Sequence, residues 1–335
     1  MGSSGVCSGA LGVATFLHLA PRPQPIKRPV PTGTHSNHTF LMSLARFTQP
    51  RVLLPVVAAA TSIGLVYHYS SLSIQNDTAK TFKGGDEWID LKLKKLWDVS
   101  SNTRHFVFEL KSPEDVSGLV TASCLMTKFV TAKGNNVIRP YTPVSDVDQK
   151  GTIDFVIKKY DGGKMSTHFH GLKEGDTVSF KGPIVKWKWE PNQFQSIALI
   201  GGGTGITPLY QLLHEITKNP EDKTKVKLFY GNLTEEDILI KKELDDIAEK
   251  HKDQVSITYF VDKALANWKG ETGHIDKEFL QSNLPGPSKD SKVFVCGPPG
   301  LYKALSGVKV SPTDQGEVTG VLAELGYTKE NVYKF

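Results

Sequence analysis

Arg139-Pro-Tyr-Thr-Pro-Val-Ser145 sets an arginine, an aromatic ring and a hydroxyl in one short extended run. Strand geometry has period two, so Arg139, Tyr141 and Pro143 share one face and Thr142 takes the other. These chemistries suit a flexible anionic cofactor with a flat ring. The guanidinium can clamp phosphate, the phenol can pack along the ring, and the threonine hydroxyl can bond a ring nitrogen. The same run also reads as an ordinary edge strand carrying two prolines. The rest of the chain decides between the two readings.

Around this stretch, Phe82 to about Lys188 is β-rich. Trp88-Ile-Asp-Leu-Lys-Leu93, His105-Phe-Val-Phe-Glu-Leu110 and Ile153-Asp-Phe-Val-Ile-Lys158 alternate apolar and polar residues between Gly, Pro and Asp turns. Short strands at this spacing predict a small antiparallel barrel, closed near Gly182-Pro183. One helical interruption follows Gly162-Gly-Lys-Met-Ser166, where glycines and a serine at a predicted helix start offer backbone N–H groups to a diphosphate.

From Phe194 the rhythm changes. Ser196-Ile-Ala-Leu-Ile200 reads as a buried strand, followed by Gly201-Gly-Gly-Thr-Gly-Ile-Thr-Pro208 and a helix from Pro208 to about Thr217. Strand Val226–Tyr230, helix Glu235–Lys250, strand Val255–Val261 and strand Lys292–Cys296 continue the series. Strands alternating with helices predict a parallel sheet with ligands at its carboxyl edge. The glycine run does not follow the GxGxxG dinucleotide pattern, yet Pro208 in the first helical turn and small residues before it make a diphosphate seat.

The composition, 39% hydrophobic and 22% charged over 335 residues, fits a globular protein of two domains with extensions. The net charge of +5 resides in the leader, because residues 1–76 hold Arg22, Lys27, Arg28, Arg46 and Arg51 and no acid. The remainder is neutral, which removes the main support for nucleic-acid binding. Three cysteines without a CxxC pair argue against a disulfide framework, and His168, His170 and His214 lack cysteine partners at zinc spacing. No metal site is expected.

Residues 1–41, with five prolines between Pro21 and Pro31, read as a leader or upstream extension. Residues 42–81 read as a targeting segment, membrane anchor and linker. Arg46 and Arg51 precede an apolar, uncharged stretch from Val52 to Leu72, long enough to span when the flank beyond Tyr67 is included. A buried core helix is the alternative. Arginine-containing, acid-free sequence ahead of a moderately apolar helix favours a mitochondrial anchor, with the outer membrane as the expected site and an intermembrane-space form as a variant. The predicted architecture is therefore an N-terminal single membrane anchor, an antiparallel β-barrel over 82–190 and an α/β parallel-sheet domain over 191–335.

Four motifs in order, Arg139-Pro-Tyr-Thr142, Gly163-Lys-Met-Ser166, Gly202-Gly-Thr-Gly-Ile-Thr-Pro208 and Cys296-Gly-Pro-Pro299, make Phe82–Phe335 resemble the NADH–cytochrome b5 reductases of the ferredoxin–NADP reductase-like superfamily, the fungal mitochondrial branch most of all. The resemblance implies an FAD barrel followed by an NADH domain, hydride passing from nicotinamide to flavin, and single electrons passing on to a cytochrome b5-like haem protein. It implies that Arg139 and Pro140 meet the FAD diphosphate side, Tyr141 lies against the ribityl and ring system, and Thr142 bonds the ring near its reactive nitrogen. Val156 and Lys158 would line the cofactor, while Gly163, Lys164, Met165 and Ser166 would hold the diphosphate. Thr207 would approach the flavin from the second domain. Gly203, Thr204, Gly205, Cys296, Gly297 and Pro298 would frame the nicotinamide nucleotide, with Cys296 positioning the nicotinamide. A buried structural thiol is the other reading of Cys296.

Gly300-Leu301 departs from the third proline and methionine common in the family. Asp262 follows the strand ending at Val261, where a carboxylate can accept from a ribose 2′-hydroxyl and repel a 2′-phosphate, which favours NADH. A helix cap or turn aspartate is the alternative. Phe335 ends the chain on an aromatic that can pack near the flavin, or on a loose tail. Lys92, Lys94, Lys95, Lys128 and Lys133 form a candidate basic rim for an acidic haem protein. A monomer is expected.

Overall fold

A computed structural model describes residues 78–335. The leader (1–41) and the anchor expected over 52–72 lie outside the described residues. Among the described residues no helix is long and apolar enough to cross a membrane.

The first lobe contains β1 (Ile89–Ser100), β2 (Thr103–Glu109), β3 (Ser123–Val130), β4 (Asn136–Tyr141), β5 (Thr152–Lys158), helix α1 (Lys164–His170) and β6 (Thr177–Val185). The strands pair antiparallel in the order β4-β3-β6-β1-β2-β5. Alternation along β1 sends Ile89, Leu91 and Leu93 inward and leaves Asp90, Lys92 and Lys94 in water. All six strands contribute to one apolar cluster, as expected of a barrel. The ladder does not close between edge strands β4 and β5. α1 lies there instead, burying Met165 and Phe169, and Phe169 meets the rings of Tyr141, Phe106 and Phe108 edge-on. Gly182-Pro183, expected to close the barrel, falls within β6 and is joined by a cis peptide bond. Within the strand Gly182 faces the Leu125 side chain and the Cys124 carbonyl too closely for a Cβ.

The second lobe begins with β7 (Ser196–Gly202), a 3₁₀ turn (Gly203–Gly205) and α2 (Ile206–Lys218). It continues through β8 (Lys225–Asn232), α3 (Lys241–Lys250), β9 (Val255–Val261), β10 (Glu271–Thr272), α4 (Lys277–Asn283), β11 (Ser291–Cys296), α5 (Pro299–Leu305), α6 (Gly320–Glu324) and β12 (Val332–Lys334). All six strands run parallel in the order β10-β9-β8-β7-β11-β12. Period two divides β7 between two cores: Ile197 and Leu199 face α2, whereas Ala198 and Ile200 face the opposite layer with Leu280, Leu305 and Leu322.

The single helix expected over Glu235–Lys250 is two elements. Glu235–Asp237 forms a 3₁₀ turn, and α3 starts only after Ile240, whose φ of 49° breaks the path. Ile238, Leu239 and Ile240 are all buried, so core burial took precedence over helical continuity. β10 and β12 carry too few residues for a readable alternation. The lobes share a core, because Ala122 and Val156 of the first join the cluster built on α2 and β7.

Candidate functional site

β7 lies where the chain order reverses, with β8 on one side and β11 on the other. Open parallel sheets receive ligands at such a point, outside the strand carboxyl ends. Register places Cys296 across from Gly201, so the glycine turn and the Cys296-Gly-Pro-Pro299 loop emerge side by side. Their backbones touch: a Cβ on Gly205 would stand 2.1 Å from the Cys296 carbonyl oxygen. Tyr230, fully buried on β8, fixes the turn by donating to the Gly203 carbonyl at 2.8 Å.

A cavity of about 1310 Å³ opens at this edge and runs into the first lobe. Arg139, Pro140, Tyr141 and Thr142 line it from β4 and its end, and Val156 and Lys158 from β5. Gly163, Lys164, Met165 and Ser166 enter from the start of α1, and Gly203, Thr204, Gly205 and Thr207 from the turn. Asp262, Cys296, Gly297 and Pro298 complete the sequence-derived set, and Phe335 joins it. The structure thus brings every one of these residues to a single cavity.

The local chemistry is specific. Arg139 donates only to the neighbouring Ile138 carbonyl and has no carboxylate partner among the described residues. Burial first, and Tyr160 second, push the Tyr141 phenol up to about 12, so it stays protonated at neutral pH. Ser166 is not the helix cap expected; Gly163 is, and the Ser166 hydroxyl donates to its carbonyl at 3.0 Å. The position is tight, since a Cβ on Gly163 would stand 2.5 Å from that hydroxyl and 3.1 Å from the Tyr160 carbonyl oxygen. Burial pushes the Cys296 thiol up to about 11, which keeps it a neutral packing group rather than a nucleophile. Asp262 follows β9 as expected, and no helix starts there, which removes the cap reading.

Several residues at the site were not anticipated. Lys158 is engaged by Asp237 at 2.7 Å, one residue from each lobe. Burial would raise the Asp237 carboxyl, but hydrogen bonds from Lys158 and Thr234 and the lysine charge outweigh it and hold the group below the usual aspartate range. Tyr160 hydrogen-bonds Thr204 at 2.8 Å, again across the lobes. Gln211 of α2 accepts from the Ser123 N–H at 3.2 Å and donates to the Pro143 carbonyl at 3.0 Å. Asn232, 9% exposed at the end of β8, lines the cavity with neither its amide nitrogen nor its oxygen partnered. An unpaired buried amide costs roughly 1–3 kcal/mol unless a ligand supplies the bond. A guanidinium without a carboxylate partner, an orphan amide and glycine-lined turns fit phosphorylated cofactors with ring and amide edges.

Comparison with known proteins bears on this geometry. Residues 90–189 match the family described as "Oxidoreductase FAD-binding domain" and residues 199–307 the family described as "Oxidoreductase NAD-binding domain". A Meyerozyma guilliermondii protein named NADH-cytochrome b5 reductase 2 is 99% identical over 294 residues, covering 88% of this chain and 100% of that protein. Its Debaryomyces hansenii namesake is 76% identical over 288 residues, 86% of this chain and 96% of that protein. The chain belongs to the NADH–cytochrome b5 reductase family. Among solved structures, the cytochrome b5 reductase domain of Ulva prolifera nitrate reductase superposes with a TM-score of 0.68 at 30% identity, covering 77% of this chain and 100% of that one. The matched FAD and NAD segments of this reductase correspond to the antiparallel and parallel lobes, and the cavity lies between their functional edges.

Proposed function

We propose that this chain is an FAD-dependent oxidoreductase that takes electrons from NADH and delivers them to cytochrome b5. The carrying observation is the single cavity in which the Arg139–Thr142 run of one lobe faces the Gly203–Gly205 turn and Cys296 loop of the other. When bound, FAD would supply the change from a two-electron donor to a one-electron acceptor. The chain supplies placement. Arg139 and the start of α1 would hold the flavin diphosphate, Tyr141 and Thr142 its ribityl and ring portion. Gly203, Thr204, Gly205, Gly297 and Pro298 would seat the nicotinamide nucleotide, with Asn232 as an added polar contact. Asp262 would favour NADH over NADPH through its negative charge. The neutral Cys296 thiol packs and orients without donating a proton.

The test is an anaerobic titration of the purified chain with NADH and, separately, NADPH, followed by cytochrome b5. Flavin bleaching at much lower NADH than NADPH, then reoxidation by cytochrome b5, is expected. A yellow protein that NADH does not bleach would refute the enzyme assignment.

Residues 52–72 anchor the reductase, with the mitochondrial outer membrane as the site, an intermembrane-space form as a variant, and the body a monomer. Arg46 and Arg51, the absence of acid before Asp77 and the uncharged run between support this. Alkaline extraction of isolated mitochondria tests it: release of the full chain into the soluble fraction would overturn the anchor. The functional boundaries run 82–190 for FAD and 191–335 for NADH.

A further inference from the structure

An electron acceptor must approach the ring end of the flavin site, and the strand register shows where that end meets the surface. Along the β3–β4 pair, Thr127 faces Arg139 and Leu125 faces Tyr141, so Cys124 stands at the Thr142 end. Cys124 and Lys186 both line the cavity there. Lys186 directly follows β6, whose last residue Val185 pairs with Ser123. The barrel lysines expected to dock the partner lie elsewhere. Lys128 faces Ile138, beyond Arg139 on the diphosphate side. Lys92 pairs with Thr177, at the opposite end of β6 from Val185, roughly 25 Å away at strand rise.

The surface beside Lys186 is unusual in two ways. Tyr333 of β12 donates to the Lys186 carbonyl, and the next residue, Lys334, exchanges hydrogen bonds with Gln315 of the loop that carries Lys309. In this way β12 brings that loop to the Lys186 side. Neither ammonium has a carboxylate or hydrogen-bond partner among the described residues. Burial first, and the Lys186 charge second, hold Lys309 below the usual lysine range. Their chain neighbours Val185, Val308 and Val310 are 50%, 56% and 73% exposed. The loop presenting the last two is fixed rather than loose. Val310 and Ser311 N–H groups donate to the Asp314 carbonyl, and Gly316 packs so closely that a Cβ would stand 2.7 Å from the Val308 carbonyl oxygen. Unpaired cations that repel one another, set among ordered exposed valines, are relieved by an anionic and partly apolar partner.

We propose that the haem-protein acceptor docks on the patch formed by Val185, Lys186, Val308, Lys309 and Val310, with the two lysines receiving carboxylates at its haem edge. Haem itself carries two propionate carboxylates, so an exposed haem edge brings both negative charge and an apolar rim. This docking site rests on the electron-transfer reading above and takes the place of the Lys92–Lys95 and Lys128–Lys133 rim.

Full-length protein in detergent, carrying Lys309→Glu or Val310→Glu, is compared with Lys92→Glu/Lys95→Glu. Haem reduction is followed by stopped flow at several ionic strengths, and flavin bleaching by NADH is recorded for each protein. Lys309→Glu and Val310→Glu are expected to lower kcat/KM for cytochrome b5 about tenfold at low salt with NADH bleaching unchanged, and the Lys309→Glu deficit should shrink as salt rises. The barrel double variant should match wild type. Wild-type cytochrome b5 kinetics in both patch variants, or a loss confined to the barrel variant, would overturn the proposal. If Lys309→Glu disturbs flavin bleaching, Val310→Glu, at the more exposed position, decides. Failure of NADH to bleach the unaltered protein would instead refute the electron-transfer reading, independently of docking.

Discussion

Gly205→Ala should break the joint between the glycine turn and the Cys296 loop. The added methyl would sit 2.1 Å from the Cys296 carbonyl oxygen, 2.4 Å from its carbon and 2.7 Å from the Gly297 nitrogen. Carbon and oxygen in close contact stand about 3.3 Å apart, so the two segments must separate by about 1 Å. All three obstructing atoms are backbone, and β7 and β11 hold both segments in register, so no side-chain rotation can relieve the clash. Overpacking of this kind costs about 1–3 kcal/mol, and the upper end is expected here. For a protein of this size, with about 2.1 cal/mol/K of unfolding entropy per residue, about 3 kcal/mol corresponds to a Tm lower by about 4–6 °C. Displacing the loop by about 1 Å should also cut kcat/KM for NADH by about a hundredfold. Two neighbours calibrate the effect. Gly203→Ala meets nothing within 4 Å but sits at φ +52°, so only about 1 kcal/mol of left-handed strain is expected. Gly300→Ala, in the first turn of α5 and in open space, should stabilise by about 0.5–1 kcal/mol. Urea unfolding and NADH reduction kinetics measure all three. A Gly205→Ala protein unfolding at the wild-type urea concentration would show that the turn and loop do not abut as described.

Arg139→Ala should lower FAD occupancy of the purified protein; undiminished flavin absorbance would remove Arg139 from the diphosphate site. Asp262→Thr should narrow the NADH:NADPH ratio of kcat/KM, and an unchanged ratio would locate cofactor choice elsewhere. A double-mutant cycle with Lys158→Met and Asp237→Asn should give about 1–2 kcal/mol of coupling, between exposed and buried ion pairs. Because the folded Asp237 carboxyl titrates below its unfolded value of 3.8, this stability is complete above that pH and fades as pH falls through the folded value. A coupling that stays constant on acidification to pH 3 would count against the pair.

Much of the fold was legible because its decisive residues have few alternative uses. Alternation around Phe106, Phe108 and Phe155 admits little besides a half-buried sheet, and Ser196–Ile200 followed by glycine admits little besides a strand entering a turn. The site motifs converged for the same reason: each lies at a strand end or helix start, where backbone geometry already dictates residue type. The failures have physical causes too. Glu235-Glu-Asp237 resembles the acidic first turn of a helix, yet Asp237 accepts from Thr234 and turns to Lys158 in the other lobe. No local pattern distinguishes a carboxylate serving a helix dipole from one serving a partner 79 residues earlier. Gln211 and Asn232 read as neutral polar positions, and their roles exist only once the lobes are packed. Sequence clustering draws the eye to Lys92–Lys95, whereas the lysines of the proposed docking patch, Lys186 and Lys309, lie far apart in sequence and are brought to one region only by the tertiary fold through β12.

Gln211 also bears on how such two-lobe proteins diversify. It joins the lobes through one backbone N–H and one backbone carbonyl, at Ser123 and Pro143, rather than through their side chains. A joint of that kind is indifferent to the identity of the residues it grips. At this contact either half can therefore change its side chains freely, whereas the Lys158–Asp237 and Tyr160–Thr204 bridges along the same seam demand particular partners.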